Sequence, residues 1–91
     1  LPVRFGGEEF AVLLPGATAQ DAAELSNTIR EKIQAIRIKQ KKSGEVISSI
    51  TASFGVSSSR SEDSINTLIE RADQALYGAK QNGRNQVRVA D

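Results

Sequence analysis

This chain has no cysteine and no histidine in its 91 residues. The first absence excludes disulfides and thiolate metal sites. The second excludes His-based triads and imidazole ligands, so any chemistry must use carboxylates, Lys, Arg, Ser, Thr or Tyr. Aromatics are scarce: Phe5, Phe10, Phe54 and Tyr77 are all there are. An RNA-binding sheet needs exposed stacking rings, and too few exist here to build one. There is no excess of one charge, because 12 Lys and Arg nearly balance 11 Asp and Glu. A broad nucleic-acid or membrane-surface binder usually carries a clear positive excess. No apolar run approaches the roughly 20 residues of a membrane span, and no signal peptide is visible. The expected setting is the cytoplasm. The basic run of Arg37, Lys39, Lys41 and Lys42 has no interleaved aromatics and reads as a solvated loop.

What is present suits one small domain. The hydrophobic fraction of 38% and charged fraction of 25% are ordinary for a soluble globular chain. Segments 1–5 and 9–14 read as the arms of a hairpin, ended by Pro15-Gly16. Gly6-Gly7 fits the central pair of a two-residue turn, since glycine tolerates positive φ. Thr18 followed by Asp21 resembles a capping box with a shorter acid. Ala22, Leu25, Ile29, Ile33 and Ile36 then recur at spacings of 3, 4, 4 and 3, one apolar stripe on a helix. Ser43-Gly44 reads as a turn. Segment 46–58 is rich in β-branched residues and alternates as a half-buried strand. Asp63 or Ser64 caps a second helix running to about Gln81, with Leu68, Ala72, Leu76 and Ala79 inward. Asn82-Gly83 supplies its left-handed stop, and 87–89 forms a short last strand. The order strand, strand, helix, strand, helix, strand predicts an α+β fold with helices on one face of a sheet.

Two places concentrate chemistry. Glu8 and Glu9 follow directly on Gly6-Gly7 at the mouth of the turn, on opposite faces of the returning strand. A carboxylate in such a place can meet a metal and a phosphate, or be a solvated turn residue. Glu9 is equally suited to a salt bridge holding the hairpin. Bare glycine backbone lets a bulky ligand approach closely. Asp73, Tyr77, Lys80 and Arg84 follow at spacings of 4, 3 and 4, and the first three share one helical face. Lys80 and Arg84 fit phosphate binding, or simply a helix C-terminus that favours cations. Tyr77 reads as a packing residue with a wet hydroxyl, and Asp73 as structural.

The segment Arg4-Phe5-Gly6-Gly7-Glu8-Glu9-Phe10 resembles the signature of the GGDEF family, the diguanylate cyclase domains, in the variant with Glu at the third position. Ser53-Phe54-Gly55-Val56 resembles the family's Ser-x-Gly-Val strand. The run from Ala72 to Asn85 is similar to the family's last helix and the turn after it. Three matches in the right order are far more specific than Gly-Gly-Glu-Glu by itself.

The resemblance implies a partial ferredoxin-like palm, as in nucleotide cyclases, with an antiparallel sheet and helices packed against it. It implies condensation of two GTP into cyclic di-GMP with release of two pyrophosphates, on a homodimer that holds one GTP in each domain. Glu8 would be the magnesium or manganese ligand beside the attacking hydroxyl, with Glu9 a second catalytic acid. Gly6 and Gly7 would pack on the nucleotide, while Lys80 and Arg84 would hold the triphosphate. A non-catalytic domain that binds GTP or cyclic di-GMP and regulates its neighbour is the alternative. None of the visible signature is degenerate, which favours the enzyme.

A whole family domain is about twice this length. Residues 1–91 would then be the C-terminal part of one GGDEF domain, lacking the first strand with its metal-binding Asp. The family's inhibitory Arg-x-x-Asp site would fall just before Leu1, and a sensory or receiver domain would lie upstream. Such a piece is expected to be inactive by itself, to expose apolar surface, and to pair with itself through open strand edges.

Overall fold

The computed structural model describes residues 2–5, 9–36, 38–39, 46–47 and 50–90, with side chains over 11–36 and 50–90. Gly6, Gly7, Glu8, the Ser43-Gly44 turn and most of the basic run lie outside the described residues.

Strand β1 (Pro2–Phe5) pairs antiparallel with β2 (Glu9–Val12). The register sets Pro2 opposite Val12 and Phe5 opposite Glu9. The Gly6-Gly7 turn expected between the strands lies outside the described residues. Glu9 is the first described residue of the returning strand. Leu14-Pro15-Gly16-Ala17 closes the segment as a β-turn. The Ala17 amide donates to the Leu14 carbonyl at 3.2 Å and Gly16 sits at φ 80°. Proline followed by a left-handed glycine is the pattern of a type II turn.

Helix α1 (Ala19–Gln34) starts at the expected capping box. The Asp21 amide donates to Thr18 Oγ1 at 3.0 Å, and the Thr18 amide reaches Asp21 Oδ2 at 3.4 Å. Its burial differs from the apolar stripe. Leu25, Ile29 and Ile36 are 47%, 40% and 49% exposed. The half-buried arc runs instead through Ala22, Ala23, Ser26, Asn27, Arg30 and Ile33. Only Ala22 and Ile33 belong to both sets.

Two short strands follow, β3 (Ile38–Lys39) and β4 (Val46–Ile47), paired antiparallel around the segment read as a loop. The long strand expected over 46–58 is reduced to β4 and to β5 (Phe54–Val56). Strand β5 begins where it gains a partner, with the Phe54 amide donating to the Gln86 carbonyl at 2.9 Å.

Helix α2 (Ile65–Gln81) is capped by Ser64, whose Oγ accepts from the Thr67 amide at 3.2 Å. Asp63 takes a different part and ties the preceding loop. Its carboxylate accepts from the Arg60 amide at 2.8 Å and from Thr67 Oγ1 at 2.9 Å, and pairs with Arg71. Strand β6 (Val87–Val89) then pairs with β5, Phe54 opposite Val87 and Val56 opposite Val89. This pairing is parallel, against the antiparallel expectation. The chain returns through α2, and a helical crossover is what parallel neighbours require.

Gly55 sets the seating of α2. A Cβ there would lie 2.1 Å from the Ala72 carbonyl oxygen. Alternation turns Phe54 and Val56 to the other side of β5, where Val87 and Val89 share a shallow groove with Ala23, Asn27 and Arg30 of α1. The helices therefore flank the β5–β6 pair from opposite sides, in place of the single face expected. Among the described residues, Val56 and Ala79 are the buried apolar core. The β1–β2, β3–β4 and β5–β6 pairs are three separate two-stranded sheets.

Candidate phosphate-binding site

The last turn of α2 and the reversal after it carry the described candidates, Lys80 and Arg84. The inward residues Leu68, Ala72 and Leu76 are half-buried and Ala79 is fully buried, as the periodicity predicts. Lys80 follows directly on Ala79 and is half-buried. Tyr77 is 65% exposed, so it is a surface ring and not the packing residue expected. Asp73 is exposed as well.

The helix ends in a hydrogen-bonded stop. The Asn82 amide donates to the Gly78 carbonyl at 3.0 Å, and the Arg84 amide donates to the Ala79 carbonyl at 2.9 Å. That second bond is the six-to-one closure of a Schellman motif, with Gly83 left-handed at φ 106°. The left-handed run continues through two residues with side chains, Arg84 at φ 63° and Asn85 at φ 48°. Such positions are uncommon outside glycine, although Asn is enriched in them.

Four further hydrogen bonds fix this reversal. The Asn85 amide donates to Ser53 Oγ at 3.0 Å, just before β5. Arg30 Nη1 of α1 donates to Asn85 Oδ1 at 3.0 Å. Gln86 Nε2 donates to the carbonyls of Asn82 at 2.9 Å and Arg84 at 3.1 Å. The Arg84 side chain is exposed, and its guanidinium takes no hydrogen-bond partner among the described residues. The sequence singles out Lys80 and Arg84 as candidates, places Ser53 and Asn85 only within the family motifs, and gives no role to Arg30 or Gln86. The one available signal was Asn85, a left-handed-tolerant residue placed directly after Gly83-Arg84.

Glu9 is placed by the backbone of β2 opposite Phe5. Gly6, Gly7 and Glu8 lie outside the described residues. Among the described residues no cluster of three or more His, Cys, Asp or Glu could hold a metal ion.

A charged cluster lies toward the other end of α2, where Thr67 and Arg71 stand about 20 and 14 Å from Lys80 along the helix. There the Arg60 amide, with Thr67 and Arg71, holds the Asp63 carboxyl below its ordinary value of 3.8, outweighing the opposing effect of burial. At those distances the cluster anchors a loop and takes no part in a site at the helix C-terminus. Among the described residues no helix is long and apolar enough to cross a membrane.

The family described as diguanylate cyclase, GGDEF domain, matches residues 1–86. Diguanylate cyclase VdcA of Vibrio cholerae is 44% identical over 84 residues, which are 92% of this chain and 25% of that protein. Diguanylate cyclase DgcM of Escherichia coli is 41% identical over 90 residues, 99% of this chain and 20% of that protein. The crystal structure of the GGDEF domain of DgcB from Caulobacter crescentus, in complex with c-di-GMP, superposes with a TM-score of 0.91 at 36% identity, covering 99% of this chain and 51% of that one. The chain thus spans a quarter or less of these curated relatives and about half of the solved domain. The family match over residues 1–86, the 44% and 41% identical relatives and the shared fold lead to one conclusion: the chain belongs to the GGDEF family of diguanylate cyclase domains.

Proposed function

We propose that residues 1–91 form the C-terminal part of a single GGDEF domain and supply part of a diguanylate cyclase site. The reaction joins two GTP molecules. Each ribose 3′ oxygen attacks the α-phosphorus of the other GTP, and each attack expels one pyrophosphate. The observation that carries the reading is the helix end of α2, where a hydrogen-bonded stop presents Arg84 four residues beyond Lys80.

Lys80 and Arg84 bind triphosphate oxygens, with Arg offering a planar fork that suits two of them. Gly6 and Gly7 leave the backbone of the hairpin loop bare for the nucleotide. The chain has neither histidine nor cysteine, so its donors for a cation are oxygens, which fits magnesium or manganese. Glu8 would hold that cation, with Glu9 as the neighbouring acid. When bound, the cation neutralises phosphate charge and lowers the pKa of the attacking hydroxyl. Two nucleotides must meet head to tail, so catalysis takes two copies of the domain. A sensory or receiver domain in the same protein would control that encounter, and the reaction belongs in the cytoplasm, where GTP is available.

The test is turnover of GTP by the full-length protein with magnesium, followed as cyclic di-GMP and pyrophosphate. Glu8→Gln is expected to abolish product. Arg84→Ala is expected to raise the KM for GTP about tenfold or more, the scale of a lost charged hydrogen bond. Undiminished turnover by Glu8→Gln contradicts the reading.

A further inference from the structure

The reversal after α2 carries more left-handed backbone than ending a helix requires. One left-handed residue is enough for a helix stop, and Gly83 at φ 106° provides it. Arg84 at φ 63° and Asn85 at φ 48° are surplus to that purpose. Non-glycine residues persist in such conformations only where their surroundings over-determine them, and they cluster at functional sites.

The surroundings here come from three different elements. The Asn85 amide is held by Ser53 Oγ at 3.0 Å, at the entrance to β5. The Asn85 side-chain oxygen is held by Arg30 Nη1 of α1 at 3.0 Å. Arg30 is itself oriented, donating from Nε to Asn27 Oδ1 at 2.9 Å and from Nη1 to Gln34 Oε1 at 3.3 Å. On the other side, the Arg84 amide is tied to the Ala79 carbonyl at 2.9 Å and the Arg84 carbonyl accepts from Gln86 Nε2 at 3.1 Å. The backbone of Arg84 is thus fixed before and after, while its guanidinium is exposed and takes no hydrogen-bond partner among the described residues.

We infer that Asn85, clamped by Ser53 and Arg30, is a positioning residue that fixes the backbone under Arg84 for capture of a nucleotide triphosphate. The inference rests on the phosphate-binding role proposed above for Arg84. A cation on a fixed base loses less freedom on binding than one on a mobile loop, and that saving appears as affinity. Asn85 meets two demands at once. Its backbone tolerates the left-handed region, and its side chain supplies the acceptor that Arg30 needs. Alanine meets neither demand, glycine only the first, and aspartate both.

The experiment measures kcat and KM for GTP in the full-length protein. The variants are Arg84→Ala, Asn85→Ala, Asn85→Asp, Ser53→Ala, Arg30→Ala and the double Ser53→Ala/Arg84→Ala. Asn85→Ala, Ser53→Ala and Arg30→Ala are each expected to raise KM about fivefold, the scale of one or two lost hydrogen bonds, with kcat nearly unchanged. Asn85→Asp is expected to keep the wild-type KM. On the Arg84→Ala background, Ser53→Ala is expected to add nothing, because its effect runs through Arg84. If Asn85→Ala does not fold, Ser53→Ala and Arg30→Ala decide the matter. A large Arg84→Ala effect combined with an independent, multiplying Ser53→Ala effect overturns the positioning inference and leaves the phosphate role standing. An Arg84→Ala protein with wild-type KM overturns both.

Discussion

A methyl group on Gly55 would lie 2.1 Å from the Ala72 carbonyl oxygen and 2.4 Å from the Leu76 amide nitrogen. Both obstacles are helix backbone, which cannot rotate aside as a side chain can. Gly55→Ala must therefore lift α2 from β5, and it should cost about 3 kcal/mol, the upper end of ordinary overpacking. Urea unfolding of the variant measures that loss, and unchanged stability contradicts the close seating. Asp63 gives a prediction in pH. Its folded pKa lies below the ordinary 3.8, chiefly through the Arg60 amide with help from Thr67 and Arg71. The unfolded carboxyl then takes up its proton first as pH falls. The stability it contributes is whole above 3.8 and is lost as pH drops through the folded value. Asp63→Asn should flatten the fall of melting temperature below about pH 4, and an unaltered acid limb would speak against the pairing. Glu8, Lys80 and Arg84 stand out in the sequence because their types and spacing match the family signature, and their roles are part of the proposal. The contacts of Ser53 and Arg30 do not stand out, because hydrogen bonds spanning 32 and 55 residues leave no local pattern.

Both helices were legible from their ends. Thr18 with Asp21 and Ser64 with Thr67 form reciprocal caps, and Gly83 takes the left-handed stop. Local hydrogen bonding decides such features, so local sequence reveals them. Ser64→Ala should cost about 1 kcal/mol and open the first turn of α2, read as faster amide exchange there. Unchanged exchange contradicts the capping role. Which face of α1 packs was not legible. Periodicity identifies an apolar stripe but not the neighbour that covers it. The β5–β6 pair meets Ala23, Asn27 and Arg30, leaving Leu25, Ile29 and Ile36 exposed. The strand expected over 46–58 shrank for a related reason. A strand is defined by its partner, and β6 partners only Phe54–Val56. The parallel pairing and the placement of helices on both sides of β5–β6 likewise depend on tertiary crossover geometry, which composition and alternation do not encode.

At the scale of the molecule, the α+β class and the family were legible because three motifs fall in the right order along the chain. Exposed apolar surface was also expected of such a piece, and it is found. The radius of gyration is 15.0 Å, against about 12 Å for a compact domain of this length. Three strand pairs stand as separate sheets, and Val12, Ile65 and Tyr77 are each more than 60% exposed. The proposed function requires the β1–β2 loop and the end of α2 to act on one nucleotide, although among the described residues β1–β2 and β5–β6 belong to different sheets. The most direct test is a crystal structure of the full-length protein with magnesium and a non-hydrolysable GTP analogue. The account predicts the Glu8 carboxylate on the metal and the Lys80 amine and Arg84 guanidinium on the same triphosphate. A nucleotide bound elsewhere, or Glu8 and Lys80 on different sides of the sheet, would contradict it.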